Sequence, residues 1–320
     1  MRVPVRRVDA AIPVTHLVTG DLSSPRATLS DVDDRPLLDR VTERANDPAA
    51  RALLHGDVHD EVGRLIAAMQ SEGVETAARP LPDDELLERI ERYEALVADL
   101  APAAAIIAGL GTADGGGLLA EVVERLAEIT DAHADGGWSC LPRYPALAVL
   151  YAAGTSAAAH SRFDSMSALV DGPVLEEHGT RQKVTTVLAP AAVMGNQIAT
   201  KLPGLDRHKT PTSDRLFEAV RPWLSVAVPS DRRFERAFDE WEYLLGLVHV
   251  DAGARWAPLG CWVWKGGGEL DPGRRLAASV ESLGAGAPVL ATGLFGGSPQ
   301  RFTEARRALA AFAASSGLRW

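Results

Sequence analysis

Apolar residues recur at intervals of three and four positions through most of this chain, and this spacing limits the fold more than any other feature. The clearest stripe runs through residues 234–248 and consists of Phe234, Ala237, Phe238, Trp241, Leu244, Leu245 and Val248. Similar stripes run from Leu86 to Leu100 and from Leu118 to Ile129. This period places apolar side chains on one face of an α-helix. The pattern therefore predicts a mainly α fold, built as a compact helical array with a repeat-like succession of helices.

Only the C-terminal part departs from the helical period. The run Cys261–Trp264 alternates like a short strand, and Pro288–Ala291 has the composition of another. These two runs predict a small β element at about residues 255–292.

The organisation along the chain is predicted in three parts. Residues 1–34 carry alternating basic and apolar positions and then Ser, Asp and Pro, which predicts a linker or strand-like N-terminal arm. Residues 35–80 form an N-terminal helical segment, and residues 81–320 form the main helical module. Within that module we expect a helix break near Gly154 and helix N-caps at Ser213, Ser230 and Ser298.

Composition narrows the function classes. The 320 residues include 33 Lys and Arg against 43 Asp and Glu, which gives a net charge of -10. A surface that neutralises nucleic acid over its whole extent needs the opposite balance. The N-terminus lacks the apolar core of a signal peptide, and the most apolar stretch, residues 145–160, is shorter than the roughly 20 residues that cross a bilayer. Together with two distant cysteines, these features predict a cytoplasmic protein without a membrane partner.

One region is locally basic in this acidic chain. Between residues 178 and 209 it contains three of the four lysines, and its basic residues include His178. Its candidate contacts to a nucleotide or nucleic acid are Arg181, Lys183, Lys201, Arg207, His208 and Lys209. A solvated loop is the alternative interpretation.

A glycine-rich turn provides a second candidate anion site. In the run GLFGGSPQRF, Gly296, Gly297 and Ser298 precede a predicted helix that starts with Pro299. Backbone N–H groups at a helix start attract anions. The turn contains no lysine, so it is not a Walker motif, and a tight structural turn is the alternative.

Two histidines four residues apart form a weak metal-site candidate. On a helix, His55 and His59 face the same side, with Asp57, Asp60 and Glu61 nearby. The run HGDVH lacks the glutamate that a zinc protease places between its histidines as the base. A solvated helix face is the alternative, and a metal-dependent hydrolase is the weakest of the functional hypotheses.

The sequence favours a non-catalytic role. It contains no GxSxG, HExxH or GxxxxGK[ST] motif, so we assign no catalytic residues and expect no cofactor. The leading hypothesis is a sensor, regulatory or assembly module whose apolar stripes are partly covered by another protein chain or by self-association. Nucleotide or nucleic-acid binding through the basic region is the alternative.

Four segments carry a resemblance to a known group of proteins: PLPDDELLERIERYEALVADL, RYPALAVLYAAGTSAAAHSRFD, FERAFDEWEYLLGLVHVD and PVLATGLFGGSPQRF. They resemble, in the same order, an uncharacterised C-terminal helical region of large actinobacterial multidomain proteins. There the region follows Schlafen-like, TIR-type or sirtuin-type N-terminal modules, and this chain has no obvious effector domain ahead of residue 80. The resemblance implies a helical regulatory module in bacterial anti-phage defence, and it implies no catalytic residues.

Overall fold

A computed structural model describes residues 35–45, 47–71, 82–111, 114–130, 136–172, 174–177, 180–254, 256–264 and 271–316. The predicted arm at residues 1–34, His178 in the basic region, and positions 255 and 265–270 of the predicted β element lie outside these residues. The segment from Arg35 onward forms one unit.

The first half of the described chain is helical. Its elements are α1 (Leu37–Arg44), a 3₁₀ turn (Pro48–Ala50), α2 (Arg51–Ser71), α3 (Asp83–Leu96), α4 (Leu100–Leu110), α5 (Gly115–Ala127), a 3₁₀ segment (Gly136–Arg143), α6 (Tyr144–Ala159) and α7 (Phe163–Asp171). Helix α1 packs on α2 and α4, and α2 packs on α5.

A short antiparallel hairpin separates the halves and consists of β1 (Val174–Glu177) and β2 (Thr180–Lys183), with Val174 opposite Lys183. The elements that follow are α8 (Val184–Val187), α9 (Pro190–Val193), α10 (Asn196–Ala199), α11 (Pro211–Trp223), α12 (Asp231–Asp251), a 3₁₀ turn (Cys261–Trp264), α13 (Pro272–Leu283), a 3₁₀ turn (Gly284–Gly286), α14 (Pro288–Ala291), a 3₁₀ turn (Leu294–Gly297) and α15 (Pro299–Ser315). The prediction of a mainly α fold is confirmed.

Helix α6 forms the centre of the molecule and packs against both α4 and α12. Every residue from Tyr144 to Ala158 is buried. Helix α12 crosses it with the predicted stripe turned inward, since Phe234, Trp241 and Leu244 are each at most 1 % exposed. Small residues along α6 permit this close approach.

The predicted helix break near Gly154 is wrong, because α6 continues without interruption to Ala159. A Cβ added at Gly154 would lie 2.1 Å from Cε2 of Trp241. The glycine is therefore required for contact between two helices and does not interrupt its own helix. Burial of α6 on all sides outweighs the low helix propensity of one glycine.

The position predicted for the β element is also wrong in the residues that the structure describes. Cys261–Trp264 is a 3₁₀ turn and Pro288–Ala291 is a short α-helix, whereas the strands lie at residues 174–183. A four-residue run is too short for its period to separate a strand from one helical turn. Pro288 at the first helical position also favours a helix start.

Two of the three predicted helix caps are confirmed. The Ser230 hydroxyl accepts a hydrogen bond from the Arg233 amide at the start of α12, and Ser298 accepts one from the Arg301 amide at the start of α15. Ser213 is not a cap, because α11 starts two residues earlier at Pro211. Proline is pre-organised for the first helical position, so it sets the start of this helix.

Among the helices described here, none alone has the length and apolar content to cross a bilayer; α3 and α4 reach that threshold only as a pair bent by 52°.

Candidate functional site

A cavity of about 610 Å³ opens where the α6–α7 corner meets the start of α12 and the middle of α13. Its apolar lining comes from Ala158, Ala159, Phe163, Ala237 and Leu276, and its polar lining comes from Ser161, Ser230, Ser279, Arg232, Arg233, Arg236, Arg275 and Glu240. We call it the arginine pocket. Its volume is within the usual range for small-molecule sites.

The charge of this pocket is opposite to that of the protein. Four guanidinium groups and one carboxylate give its lining a formal charge of +3, in a chain of net charge -10. Guanidinium groups match carboxylate and phosphate oxygens in geometry as well as in charge. The lining is therefore suited to an anionic ligand.

Two of the four arginines are fixed by protein partners. Arg233 donates from Nε and Nη2 to the carbonyl oxygen of Ala159, at 3.1 and 2.7 Å. Arg275 donates from Nη2 to Oε2 of Glu240 at 2.5 Å. These contacts hold α12 against the end of α6 and against α13, so they form the rigid frame of the pocket.

Burial also affects the carboxylate of this frame. Glu240 is only 8 % exposed, and desolvation raises its pKa, although Arg275 and Arg236 oppose that rise. With one carboxylate against four guanidinium groups, the lining keeps a net positive charge in spite of Glu240.

The other two arginines have no hydrogen bond or ion pair within the described part of the chain. Arg232 is exposed at the pocket mouth. Arg236, one helical turn further along α12, has its Nε atom buried without a partner. An unsatisfied buried donor costs about 1–3 kcal/mol, which a bound anion that accepted a hydrogen bond from it would recover.

Helix α12 adds to the same potential. It is 21 residues long, and its first turn begins at Ser230 in the pocket lining. The N-terminal end of a helix carries partial positive charge. Its contribution adds to the charge of the four arginines.

The facing wall is formed by a tight corner between α6 and α7. Ser161 has a left-handed φ of 55°, and the Arg162 amide donates to the carbonyl of Ala157 at 2.8 Å. The Arg162 guanidinium reaches away from the corner to the carbonyl of Gly111 at 2.5 Å. The corner is therefore anchored to the end of α4, which keeps the Ser161 and Phe163 side chains in place.

The basic region predicted from the sequence has acidic partners. Lys183 pairs with Asp171, Lys201 lies 3.4 Å from Asp83, Arg207 lies 3.6 Å from Asp206, and Nδ1 of His208 lies 2.8 Å from Asp214. Arg181 is exposed on β2. Lys209 lies apart from these, in the lining of a second cavity. These ion pairs reduce the positive potential that the sequence indicated for the region.

The glycine turn is compact. Phe295, Gly296 and Gly297 all have left-handed φ angles, of 55°, 62° and 68°. The Ser298 amide donates to the carbonyl of Phe295 at 3.2 Å, and the Ser298 hydroxyl is engaged as the cap of α15. Intramolecular bonds thus use part of the donor set that an anion would need.

The two histidines lie on α2, as their spacing predicted. Nδ1 of His59 is 3.0 Å from the guanidinium of Arg125, and its Nε2 is 3.5 Å from Glu121. Among the described residues, no group of three or more His, Cys, Asp or Glu side chains is arranged for a metal ion.

None of the four pocket arginines was identified from the sequence. The run RRFER does place Arg232, Arg233 and Arg236 within five residues at a helix start, and two of these are four positions apart. This signal was available locally. Arg275 reaches the pocket only because α13 packs against α12. No local sequence pattern predicts this long-range contact.

Comparison of the chain with protein-family models, with curated proteins and with solved structures finds no match.

Proposed function

We propose that this protein is a non-catalytic sensor that binds a small phosphate-bearing ligand in the arginine pocket. The observation that carries the proposal is a cavity of formal charge +3 in which Arg232 and Arg236 make no hydrogen bond or ion pair with another described residue. A phosphate group accepts several charge-assisted hydrogen bonds from guanidinium groups. The pocket volume leaves room for an organic part beside Phe163 and Leu276.

The position of the pocket supports a sensing role. Its walls come from the corner at residues 158–163, the start of α12 and the middle of α13, which are far apart in sequence. A ligand that fills the cavity contacts all of these elements, and because it binds only the folded state it lowers the free energy of that state. Among the described lining residues, the polar groups are guanidinium groups, serine hydroxyls and one ion-paired carboxylate, a set that suits binding better than bond cleavage.

The proposal is tested by calorimetric titration and thermal unfolding with inorganic phosphate, pyrophosphate and, as a neutral control, glycerol. We expect both anions to bind and to raise Tm. The double variant Arg232→Ala/Arg236→Ala should weaken binding at least about tenfold, since a hydrogen bond to a charged group contributes about 1.5–3 kcal/mol.

The matched control is Arg181→Ala/Arg207→Ala, which removes the same charge from the basic region. Retention of anion binding in this control, with loss in the pocket variant, supports the proposal. The reverse result contradicts it and favours the alternative, a nucleotide or nucleic-acid site at residues 178–209.

We also propose that the bound state is communicated to another protein chain, in a cytoplasmic regulatory setting such as bacterial defence. The resemblance to a region that accompanies different effectors motivates this setting, and the two free cysteines, Cys140 and Cys261, are compatible with a reducing compartment. Leu53, Val226 and Leu283 are each more than half exposed and are candidates for such contacts. Light scattering with and without pyrophosphate measures whether the ligand changes the self-association of the protein. If the molar mass does not change and crosslinking in cells finds no partner protein, this part of the proposal fails.

A further inference from the structure

A second cavity, of about 340 Å³, shares no lining residue with the arginine pocket. It lies between the α9–α10 segment, the start of α11, residues 256–259 and the end of α15. We call it the aromatic pocket. Its volume is near the lower limit for ligand sites, so it suits a single ring system better than a whole nucleotide.

Flat apolar surfaces form its walls. Trp256 and Phe312 contribute aromatic rings, and Pro190, Pro258 and Leu259 complete the apolar part. The Trp256 side chain is 39 % exposed, an unusual environment for an indole next to a well-packed core.

The indole has a ring contact with a buried histidine. His249 packs against it edge-on, with ring centroids 6.3 Å apart and planes at 85°. His249 is itself 4 % exposed, and its Nδ1 lies 2.8 Å from the carbonyl oxygen of Leu245. The exposed part of Trp256 is accessible to a second ring, and ring contacts of this kind contribute beyond the area that they bury.

One side of the aromatic pocket is polar. It carries the Gln197 amide, which both donates and accepts hydrogen bonds, and the Thr210 hydroxyl. The Thr210 hydroxyl donates to Asp214 at 3.4 Å, so its oxygen remains as an acceptor. The Gln197 side chain lies over Gly195, where an added Cβ would be 2.8 Å from Oε1. Donors and acceptors in this arrangement match the edge of a nitrogen heterocycle, which has both kinds of group.

The charge of the aromatic pocket also limits which ligands it can bind. No Asp or Glu occurs among its described lining residues, and Lys209 is the charged group at its rim. The Asp214 carboxylate, which is not in the lining, accepts a hydrogen bond from the Thr210 hydroxyl at 3.4 Å and lies 2.8 Å from Nδ1 of His208. Among the described residues, the lining itself therefore presents no carboxylate with which to select a cationic ligand.

We infer that the aromatic pocket binds an uncharged nitrogen heterocycle of about nucleobase size, stacked on Trp256 and read at its edge by Gln197 and Thr210. This site is separate from the arginine pocket and does not depend on the function proposed for it.

The test uses adenine, hypoxanthine and indole as probes in ligand-observed NMR and calorimetry on the full chain. Adenine or hypoxanthine should bind more tightly than indole, which has a similar shape but a single N–H at its edge. Trp256→Ala should weaken purine binding about tenfold or more, because one stacked base contributes about 1–3 kcal/mol. Gln197→Ala should weaken purine binding and leave indole binding unchanged.

Two control variants show whether a loss of purine binding is caused by the loss of the Trp256 ring or by some other effect. Leu283→Ala, at another exposed apolar position, should bind purines like the wild type, and thermal unfolding shows whether the Trp256 variant is folded. Arg232→Ala/Arg236→Ala should leave purine binding unchanged while it weakens phosphate binding. Equal purine affinity in the wild type and Trp256→Ala, tighter binding of indole than of both purines, or no binding of any probe at millimolar concentration overturns the inference.

Discussion

At the scale of single residues, Glu242 is a carboxylic acid buried in the core of the described chain. It lies in the centre of α12 and is 1 % exposed. Tyr151 donates to its Oε1 at 3.2 Å, and a Cβ at Gly260 would overlap its Oε2. Desolvation raises its pKa to about 8; the hydroxyls of Ser213 and Tyr151 oppose this rise, and the charges of Asp239 and Asp214 add to it.

This environment predicts a pH dependence of stability. In the unfolded chain Glu242 loses its proton near the ordinary pKa of 4.5, whereas in the folded protein, with its pKa raised, it does so only near pH 8. The contribution to stability is therefore complete below about pH 4.5 and is lost as the pH rises to about 8. Each unit of difference corresponds to about 1.4 kcal/mol, so the loss reaches several kcal/mol. Urea unfolding of the wild type and Glu242→Gln at pH 5 and pH 8 measures it.

The variant should lose less stability than the wild type between these two pH values. Glu61 and Glu240, whose pKa values are also raised by burial, and His249, whose pKa is lowered by burial, are present in both proteins, so their effects cancel in the comparison. Equal losses would show that Glu242 ionises normally in the folded state.

Gly154 gives a second prediction at this scale. Because an added Cβ would lie 2.1 Å from the indole of Trp241, Gly154→Ala should force the α6–α12 contact apart and destabilise the protein by about 1–3 kcal/mol. The matched control is Gly56→Ala in α2, where nothing lies within 4 Å of the new methyl group. That change should stabilise the protein by about 0.4–1 kcal/mol. Urea unfolding distinguishes the two, and similar effects would contradict the packing argument.

At the scale of elements, one ionic cluster joins three helices. Arg215 of α11 makes two hydrogen bonds to Glu94 of α3, at 2.8 and 2.5 Å, and Tyr144 of α6 donates to the same carboxylate at 2.7 Å. The side chains of Arg215 and Glu94 are less than one fifth exposed. Partial burial makes this cluster more important for stability than a surface pair.

Loss of the carboxylate should therefore be costly. Glu94→Gln leaves the Arg215 charge without its counter-ion, and we expect a loss of about 3 kcal/mol, toward the lower end for broken buried pairs. The control is Glu43→Gln, which breaks the exposed pair with Arg35 and should cost less than about 1 kcal/mol. Chemical denaturation in low and high salt measures both, and comparable losses would contradict a special role for the cluster.

At the scale of the whole molecule, the sequence predicted the fold better than it predicted the arginine pocket. In each of the helices α3, α5 and α12 the apolar residues recur several times at the helical spacing, so this spacing alone predicted a helix. The misplaced β element rested on four-residue runs, in which the period carries little information. The role of Gly154 depends on Trp241, which is distant in sequence, and no local pattern indicates such a contact.

The same reasoning applies to the arginine pocket. Local sequence shows Arg232, Arg233 and Arg236 together, but it does not show that α13 brings Arg275 to them or that the α6–α7 corner closes the opposite side. The basic region, in contrast, was conspicuous in sequence because its cations are close along the chain. Its counter-ions Asp83 and Asp171 come from other segments, so their effect emerges only in three dimensions.

The burial of α12 has a consequence for the cooperativity of unfolding. From Phe234 to His249 only Glu235 and Arg236 escape full burial, so this helix has almost no face that opens without disruption of its neighbours. We expect its central amide hydrogens to exchange with deuterium only through global opening, with protection equal to the full free energy of unfolding. Exchange measured by mass spectrometry should show faster labelling in α2, which has an exposed face. Because the first turn of α12 lines the arginine pocket, an anion bound there should slow deuterium uptake far along the helix as well as at the pocket itself.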